Sequence, residues 1–468
     1  MSNRQESKAL RMGCTIGYGI GAIGEGIGYN VFFSFFSFFL TTVAGIPPAV
    51  AGVISSVAVL WDAVTDPMIG SWSDTTRNPK GRRRPFIMTG SVLFGVSIAM
   101  VFFNFDIPVG LKTVYFILAN GFYWIALTSC VIPHISLGSE LTDDFNERTK
   151  LRSCAVTLMG IGTLIATSST LLLVKFYQGV FESESAGWAA TGITFGVIVA
   201  LVYHLCCFAV KNLEPANPNL AEPARKKPWK ETLAIFLRSA KRAFQNKALS
   251  LLIVVNFSYN VFVTLSSGLL VYVLSYVFVY DEAQTSMVYL VQGILVILTA
   301  ILAGCVANKT DKKTVMTGSM LLTIIACLII GFLPSKSVWL YTYVAIYALG
   351  NSGFWTMIYA MSYDSAILEQ IETGKKPDGL YTSLIGLFMK FGNALGTLIM
   401  GFGLQLIGFS SESETQTEAT VQGIKRLFGI APSIVILVGL IAAIAYPLTK
   451  AKYIELQGVL KAKENAGR

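Results

Sequence analysis

Long apolar segments recur along the whole chain, and each is long enough to cross a lipid bilayer as a helix. A helix needs about 20 residues to span the roughly 30 Å hydrocarbon core. Twelve runs are of this kind: residues 14–43, 49–72, 86–104, 112–138, 151–176, 187–210, 248–279, 285–306, 315–333, 338–363, 379–408 and 427–449. Backbone groups in lipid must be bonded within their own segment. The sequence therefore predicts an all-α membrane protein with twelve transmembrane helices.

Lysine and arginine lie almost entirely on one side of these predicted spans. The two termini and the loops that follow even-numbered runs carry nearly all of the 36 basic residues. The opposite side holds only Lys112, Lys175, Lys336, Lys425 and Arg426. Basic loops stay in the cytoplasm, so both termini are predicted to be cytoplasmic in a multi-pass protein of the inner (plasma) membrane. This asymmetry explains the net charge of +9, which gives no reason to expect a nucleic-acid partner.

The longest polar stretch, residues 211–247, separates run six from run seven. Its first part contains four prolines, at 215, 218, 223 and 228. An amphipathic segment, Trp229–Phe244, follows and is expected to lie on the inner membrane surface. The predicted organisation is an N-terminal six-helix bundle over 1–210, a cytoplasmic linker with an amphipathic helix over 211–247, and a C-terminal six-helix bundle with a cytoplasmic tail over 248–468. Residues after Lys450 are polar and are expected to form a loose tail.

Two carboxylates lie inside run two, where charge is costly. Asp62 and Asp66 are four residues apart, so a helix places them on one face with Cβ atoms about 5–6 Å apart. Each costs about 2.5–3.5 kcal/mol at the centre of a bilayer. The pair therefore needs a cation, a proton or a basic partner, and Lys390 is the basic residue inside an apolar run. The structural alternative is an internal salt bridge, or a helix-end pair that faces water.

The two halves carry related loops, and four motifs span both of them. "SELTDDFNERTK" follows run four and "YDSAILEQIETGKK" follows run ten. The motifs are, in order, "WDAVTDPMIG", "SDTTRNPKGRRRP", "IPHISLGSELTDDFNERTKL" and "AMSYDSAILEQIETGKKPDGLYTSLIGLFMKFGNALG". Together they resemble the glycoside–pentoside–hexuronide:cation symporter family. The resemblance implies two six-helix bundles in the major facilitator fold, with the substrate bound between the halves.

The same resemblance implies a function. It is secondary active transport, in which symport of a sugar, glycoside or hexuronide is coupled to H⁺ or Na⁺ by alternating access. No cofactor is expected beyond this coupling ion. We expect a monomer whose partners are a small-molecule sugar or glycoside and the membrane lipid.

The resemblance also assigns a cation site. Asp62 and Asp66 match the paired cation-site aspartates of the family, and they could hold Na⁺ or share a proton. Thr65 and Thr128 are candidate hydroxyl ligands, although Thr65 could equally bond its own helix. Lys390 matches a coupling lysine across the central cavity. Its alternative is to extend to the membrane interface.

A substrate site follows from the same comparison. Trp355 matches a tryptophan that stacks on the sugar, since an indole face packs well against the C–H face of a pyranose. An interface anchor is the alternative for any membrane tryptophan. The other candidates for the substrate lining are Glu25, Tyr29, Tyr123, Trp124, Arg152, Tyr259 and Tyr359.

Some positions depart from the family pattern. Val131 stands where its galactoside transporters have an acid, and Ile135 stands where they have a second stacking tryptophan. Glu25 is shifted from the expected acid of the first helix, and Arg152 is displaced from the expected arginine. These changes predict a substrate other than a simple galactoside. The missing acid also leaves few oxygen ligands for sodium, which favours H⁺.

Two other functional classes are the alternatives to a sugar symporter. A cation-coupled carrier of another solute, such as a lysolipid, would need a side opening lined by apolar residues. An enzyme or receptor has no support, because the sequence has no GxSxG motif, no P-loop and no metal-ligand spacing. The seven cysteines lie in apolar runs without a CxxC pair and are expected to be core residues.

Overall fold

The computed structural model describes residues 12–79, 81–142, 144–213, 240–241, 243–374, 378–411, 413 and 415–466. In this part of the chain every regular element is a helix, which confirms the all-α prediction. The helices are α1 Met12–Thr42, α2 Pro48–Asp74, α3 Arg84–Val101, α4 Val109–Glu140, α5 Phe145–Phe181, α6 Glu184–Ala209, α7 Lys247–Val277, α8 Glu282–Lys309, α9 Lys312–Phe332, α10 Ser337–Thr373, α11 Asp378–Leu406, α12 Glu418–Ile444 and α13 Lys450–Ala466. Helix α1 contains a π-helical turn at Phe32–Phe36, and α7 ends in another at Val273–Val277.

Eleven of these helices are long and apolar enough to cross a membrane. Helix α10 has 37 residues, which is ample length, but its sequence mixes tyrosine, tryptophan, glycine and Asn351 with the apolar residues. With α10 included, twelve long helices agree with the twelve predicted runs.

Two predicted boundaries at the C-terminal end were wrong. Helix α12 begins at Glu418, whereas the apolar run was predicted to start at 427. Lys425 and Arg426 interrupt the apolar pattern but lie within the helix. Residues after Lys450 form the helix α13, and the predicted loose tail is absent. The predicted amphipathic segment Trp229–Phe244 lies largely outside the described residues.

The chain forms two compact units. One comprises Met1–Arg225 with Tyr280–Leu290 and Ser410–Glu414; the other comprises Lys226–Val279, Val291–Phe409 and Thr415–Arg468. Several helix pairs recur in the two units with a shift of six. Helix α1 packs on α5 and α6 as α7 packs on α11 and α12, and α3 packs on α4 and α6 as α9 packs on α10 and α12. This repetition agrees with two six-helix bundles of the major facilitator type.

Close backbone contact fixes α1 in the N-terminal unit. A Cβ atom on Gly26 would lie 2.1 Å from the Met159 carbonyl oxygen of α5, so only glycine fits there. On the side that faces α4, Tyr18 of α1 and His134 of α4 are joined by two hydrogen-bond contacts. The Tyr18 hydroxyl donates to the His134 carbonyl over 3.2 Å, and His134 Nε2 lies 3.0 Å from the Tyr18 carbonyl oxygen. Their rings stack with centroids 4.5 Å apart. These contacts hold the residues of α1 in register with those of α4.

A buried arginine joins the ends of three helices in this unit. Arg83, only 4% exposed, donates from Nε to Glu140 Oε1 over 2.9 Å and from Nη1 to Ser73 Oγ over 2.6 Å. Its Nη2 pairs with Asp74. The network therefore ties the end of α2 and the start of α3 to the end of α4.

Replacing this arginine should destabilise the fold. Arg83→Gln leaves Glu140 with only the less buried Arg82 as a basic partner, so we expect a cost of roughly 1.5–3 kcal/mol, the range for hydrogen bonds to charged groups. The measurement is the thermal unfolding midpoint of the purified protein in detergent. Arg77→Gln is the matched control, since Arg77 is an exposed arginine of the same motif. Equal midpoints for the two variants would contradict the role given to Arg83.

Candidate functional site

Helix α2 turns its two aspartates into the N-terminal unit. Asp62 is 1% exposed and Asp66 is half-buried, whereas their neighbours Trp61 and Val64 are exposed. The four-residue spacing puts both carboxylates on one face. Pro67 follows at once, and because proline has no N–H it cannot bond the carbonyl one turn before it. The polar face of α2 is therefore built into the bundle, as the spacing predicted.

Thr128 of α4 bridges the two carboxylates. Its Oγ1 atom lies 2.6 Å from Asp62 Oδ1 and 2.9 Å from Asp66 Oδ1, and Thr128 is itself buried. A threonine hydroxyl has one hydrogen to donate and can accept bonds from others. Both short contacts can be full hydrogen bonds only when one carboxyl carries a proton and donates it to Oγ1. The geometry thus has a natural place for a single proton.

Thr65 has a different surrounding. Its hydroxyl donates to the Asp62 carbonyl of its own helix over 3.3 Å, which is the local alternative that the sequence left open. The oxygen could still accept a cation, so its ligand role stays a prediction. The oxygens gathered at this point are those of Asp62, Asp66 and Thr128, and they are also the atoms that a Na⁺ ion would use.

Two aromatic residues line the neighbourhood of these carboxylates. Tyr29 of α1 is close enough to interact electrostatically with Asp62, Asp66 and Glu25. Its ring lies 5.9 Å from that of Trp124, which is one turn before Thr128 on α4. Trp124 is 1% exposed, and its Nε1 has no hydrogen-bond partner among the described residues. A buried unpaired N–H is costly, so this atom is a candidate contact for a substrate oxygen.

Glu25, one turn before Tyr29 on α1, is brought into electrostatic range of Arg152. Glu25 is 8% exposed, and Arg152 of α5 is the charged group that acts on its carboxyl. Arg152 is itself an exposed residue. A buried acid with a basic group in electrostatic range suits recognition of a polar substrate, but both roles remain predictions. The buried Tyr123 is committed to the fold, because its hydroxyl donates to the Gly28 carbonyl over 2.7 Å.

The C-terminal unit holds the remaining predicted residues. Trp355 of α10 is half-buried, and Tyr359 is 37% exposed. Tyr259 of α7 stacks on Phe354 at 3.4 Å and meets the Trp355 ring edge-on at 6.4 Å. Lys390 of α11 is half-buried. It belongs to a different unit from Asp62 and Asp66, and its pairing with them stays a prediction.

Sequence reasoning missed one polar residue of this unit, Asn351, one turn before Trp355 on α10. Its amide oxygen accepts from the Tyr259 hydroxyl over 3.2 Å. The signal that could have found it is the reduced apolarity of run ten, where an asparagine and a tryptophan lie four residues apart.

The chain matches a known protein family over most of its length. The family described as MFS/sugar transport protein matches residues 17–450. An uncharacterized symporter of Synechocystis sp. strain PCC 6803 is 25% identical over 99% of this chain and 99% of its own length. A glucuronide carrier protein homolog of Escherichia coli K12 is 26% identical over 94% of this chain and 93% of its own.

A solved structure supports the fold. The crystal structure of a D-xylose–proton symporter superimposes with a TM-score of 0.63 at 14% identity, over 92% of this chain and 97% of that one. The family match over residues 17–450 covers nearly the whole chain, including the candidate site residues of both units. The chain therefore belongs to the MFS/sugar transport protein family and is a multi-pass membrane transporter rather than an enzyme.

Proposed function

We propose that the chain carries a sugar, glycoside or hexuronide across the inner (plasma) membrane by alternating access, coupled to a cation. The observation that carries the proposal is the Asp62–Thr128–Asp66 cluster, in which one hydroxyl lies within hydrogen-bond distance of two carboxylates. Its relatives include a symporter and a glucuronide carrier homolog, which supports cation coupling and a sugar-like substrate. A lysolipid carrier is not favoured by these relatives.

The coupling ion that this cluster suits best is H⁺. A single proton on one carboxyl satisfies both contacts of the Thr128 hydroxyl at once, as a chain of two hydrogen bonds. Val131, one turn below Thr128 on α4, is a buried apolar residue where a further acid would add an oxygen ligand. Sodium is the alternative, held by the same oxygen atoms.

Charge balance provides the coupling in this proposal. Asp62 and Asp66 supply two negative charges and Lys390 one positive charge, so one cation completes neutrality. A bare charge in a closed, dry cavity would raise the barrier to the conformational change. The substrate then binds more tightly when the cation is bound, and the cation gains equally from the substrate, because coupling between two sites is reciprocal.

The substrate is held by aromatic residues in this proposal. Trp355 stacks on the sugar ring, and the unpaired Nε1 of Trp124 offers a hydrogen bond to a sugar oxygen. Glu25, Arg152, Tyr29 and Tyr359 complete the polar lining. Val131 and Ile135 remove the acid and the second tryptophan that a galactoside site of this family would have, so simple galactosides should be poor substrates.

Neutralising either aspartate should abolish coupling. Asp62→Asn or Asp66→Asn removes the charge that binds the cation, so the accumulation ratio in proteoliposomes should fall to about one under a cation gradient. Downhill counterflow should persist in part, because the substrate site is intact. Asp106→Asn is the matched control, since Asp106 is an exposed aspartate in the loop before α4. If either site variant still concentrates substrate, that aspartate is structural.

Removing the stacking tryptophan should separate substrate binding from cation binding. Trp355→Ala is expected to raise the substrate KM in counterflow by about tenfold or more, since loss of the apolar contact with the indole face should cost about 1.4 kcal/mol or more, which is tenfold in affinity. The cation concentration for half-maximal uptake should change little. Trp339→Ala is the matched control, because Trp339 is a half-buried tryptophan near the start of the same helix. Parallel loss of both affinities in folded protein would show that Trp355 supports the bundle instead.

A further inference from the structure

Helix α10 presents three different surfaces to its own unit. Gly353 lies against α9, where a Cβ atom would come within 2.0 Å of Ser319 Oγ. Ser352 faces α8, with its hydroxyl 2.8 Å from that of Thr299. Asn351 occupies a third direction and remains half-buried. The asparagine is therefore not part of the packing of α10 against α8 or α9.

The Asn351 amide is held in one orientation from the side of α7. The Tyr259 hydroxyl donates to Asn351 Oδ1 over 3.2 Å. Tyr259 is fully buried and stacks on Phe354 at 3.4 Å, so its hydroxyl has a fixed position. An asparagine amide also carries two N–H donors on Nδ2. In the described part of the chain these donors have no hydrogen-bond partner, and Nδ2 is not among the fully enclosed polar atoms.

Trp355 follows Asn351 by one helical turn, on the same face of α10. An aromatic surface and a fixed pair of N–H donors thus lie next to each other along one helix. This combination fits a carbohydrate, which has an apolar C–H face and hydroxyl oxygens that accept hydrogen bonds at its rim. Binding pockets typically pair apolar or aromatic walls with a few oriented polar groups of this kind.

We propose that Asn351 donates a hydrogen bond to a hydroxyl oxygen of the transported sugar and so helps to set substrate specificity, with Tyr259 as its positioning residue. The inference rests on the proposed function, since it concerns the same substrate. It adds a neutral donor in the C-terminal unit, while Val131 removes an acidic acceptor from the N-terminal unit. We therefore expect the protein to recognise a different hydroxyl of its substrate from the one that a galactoside transporter of the family recognises.

The test uses counterflow by the full-length protein in proteoliposomes. A panel of labelled glycosides and hexuronides first identifies a substrate of the wild type, and its single-deoxy analogues are then compared. For the wild type, the analogue that lacks the contacted hydroxyl should bind about tenfold more weakly than the parent sugar. Asn351→Leu should weaken the parent by about tenfold and leave that analogue unchanged, so that the two become equal. Tyr259→Phe should act in the same direction with a smaller effect.

Two further variants keep the result decisive. Asn351→Asp retains an oxygen for Tyr259 but has no N–H donors, so it should lose the same discrimination even if the leucine variant folds poorly. Asn104→Leu is the matched control. Asn104 is a half-buried residue of the N-terminal unit whose amide donates to the Val43 carbonyl of the same unit. This variant should discriminate between the parent sugar and its deoxy analogues as the wild type does.

The outcomes separate this inference from the proposed function. Wild-type protein that exchanges no sugar of the panel overturns both. Wild-type exchange, together with folded Asn351→Leu or Asn351→Asp that keeps the full preference for the parent sugar, overturns the role of Asn351 alone. Loss of preference for one hydroxyl and no other supports it, because a merely structural defect would weaken the parent and all analogues together.

Discussion

The proposed coupling depends on one interaction of the N-terminal unit, the bridge from the Thr128 hydroxyl to Asp62 and Asp66. Two carboxylates inside a membrane-spanning bundle repel each other and are poorly solvated there. A hydroxyl between them lowers this cost and leaves room for one positive charge. The surrounding helices hold these groups in place. Helix α2 provides both acids from one face and α4 provides the hydroxyl, and the Arg83 network joins the ends of these two helices.

The two units divide the proposed work between them. The N-terminal unit holds the bridged carboxylates of Asp62 and Asp66, which suit a coupling ion. The C-terminal unit offers an aromatic wall at Trp355 and an oriented amide at Asn351, which suit a neutral, hydroxyl-rich substrate. In the proposal, the charge of Lys390 enters the balance with the aspartates, although its helix belongs to the C-terminal unit. Coupling then requires only that binding the cation without the substrate, or the substrate without the cation, be unfavourable in free energy.

Much of the fold and part of the candidate site could be predicted from the sequence, and the features that could not be predicted have physical reasons. Apolar length predicted the helices, because lipid leaves the backbone no other choice. The start of α12 was missed since Lys425 and Arg426 lie within a helix whose end is polar. Helical spacing predicted that Asp62 and Asp66 share a face. It could not predict the bond from Thr128, which depends on how α4 packs on α2, nor the orientation of Asn351, which depends on Tyr259 of another helix.

The central claim is that the bridged carboxylates carry one proton for each coupled transport event. The most direct measurement is substrate accumulation in sodium-free proteoliposomes with an imposed pH gradient, alkaline inside. The account predicts accumulation that a protonophore abolishes and that an added sodium gradient does not increase. Accumulation driven only by an inward sodium gradient, with no response to the pH gradient, would contradict it.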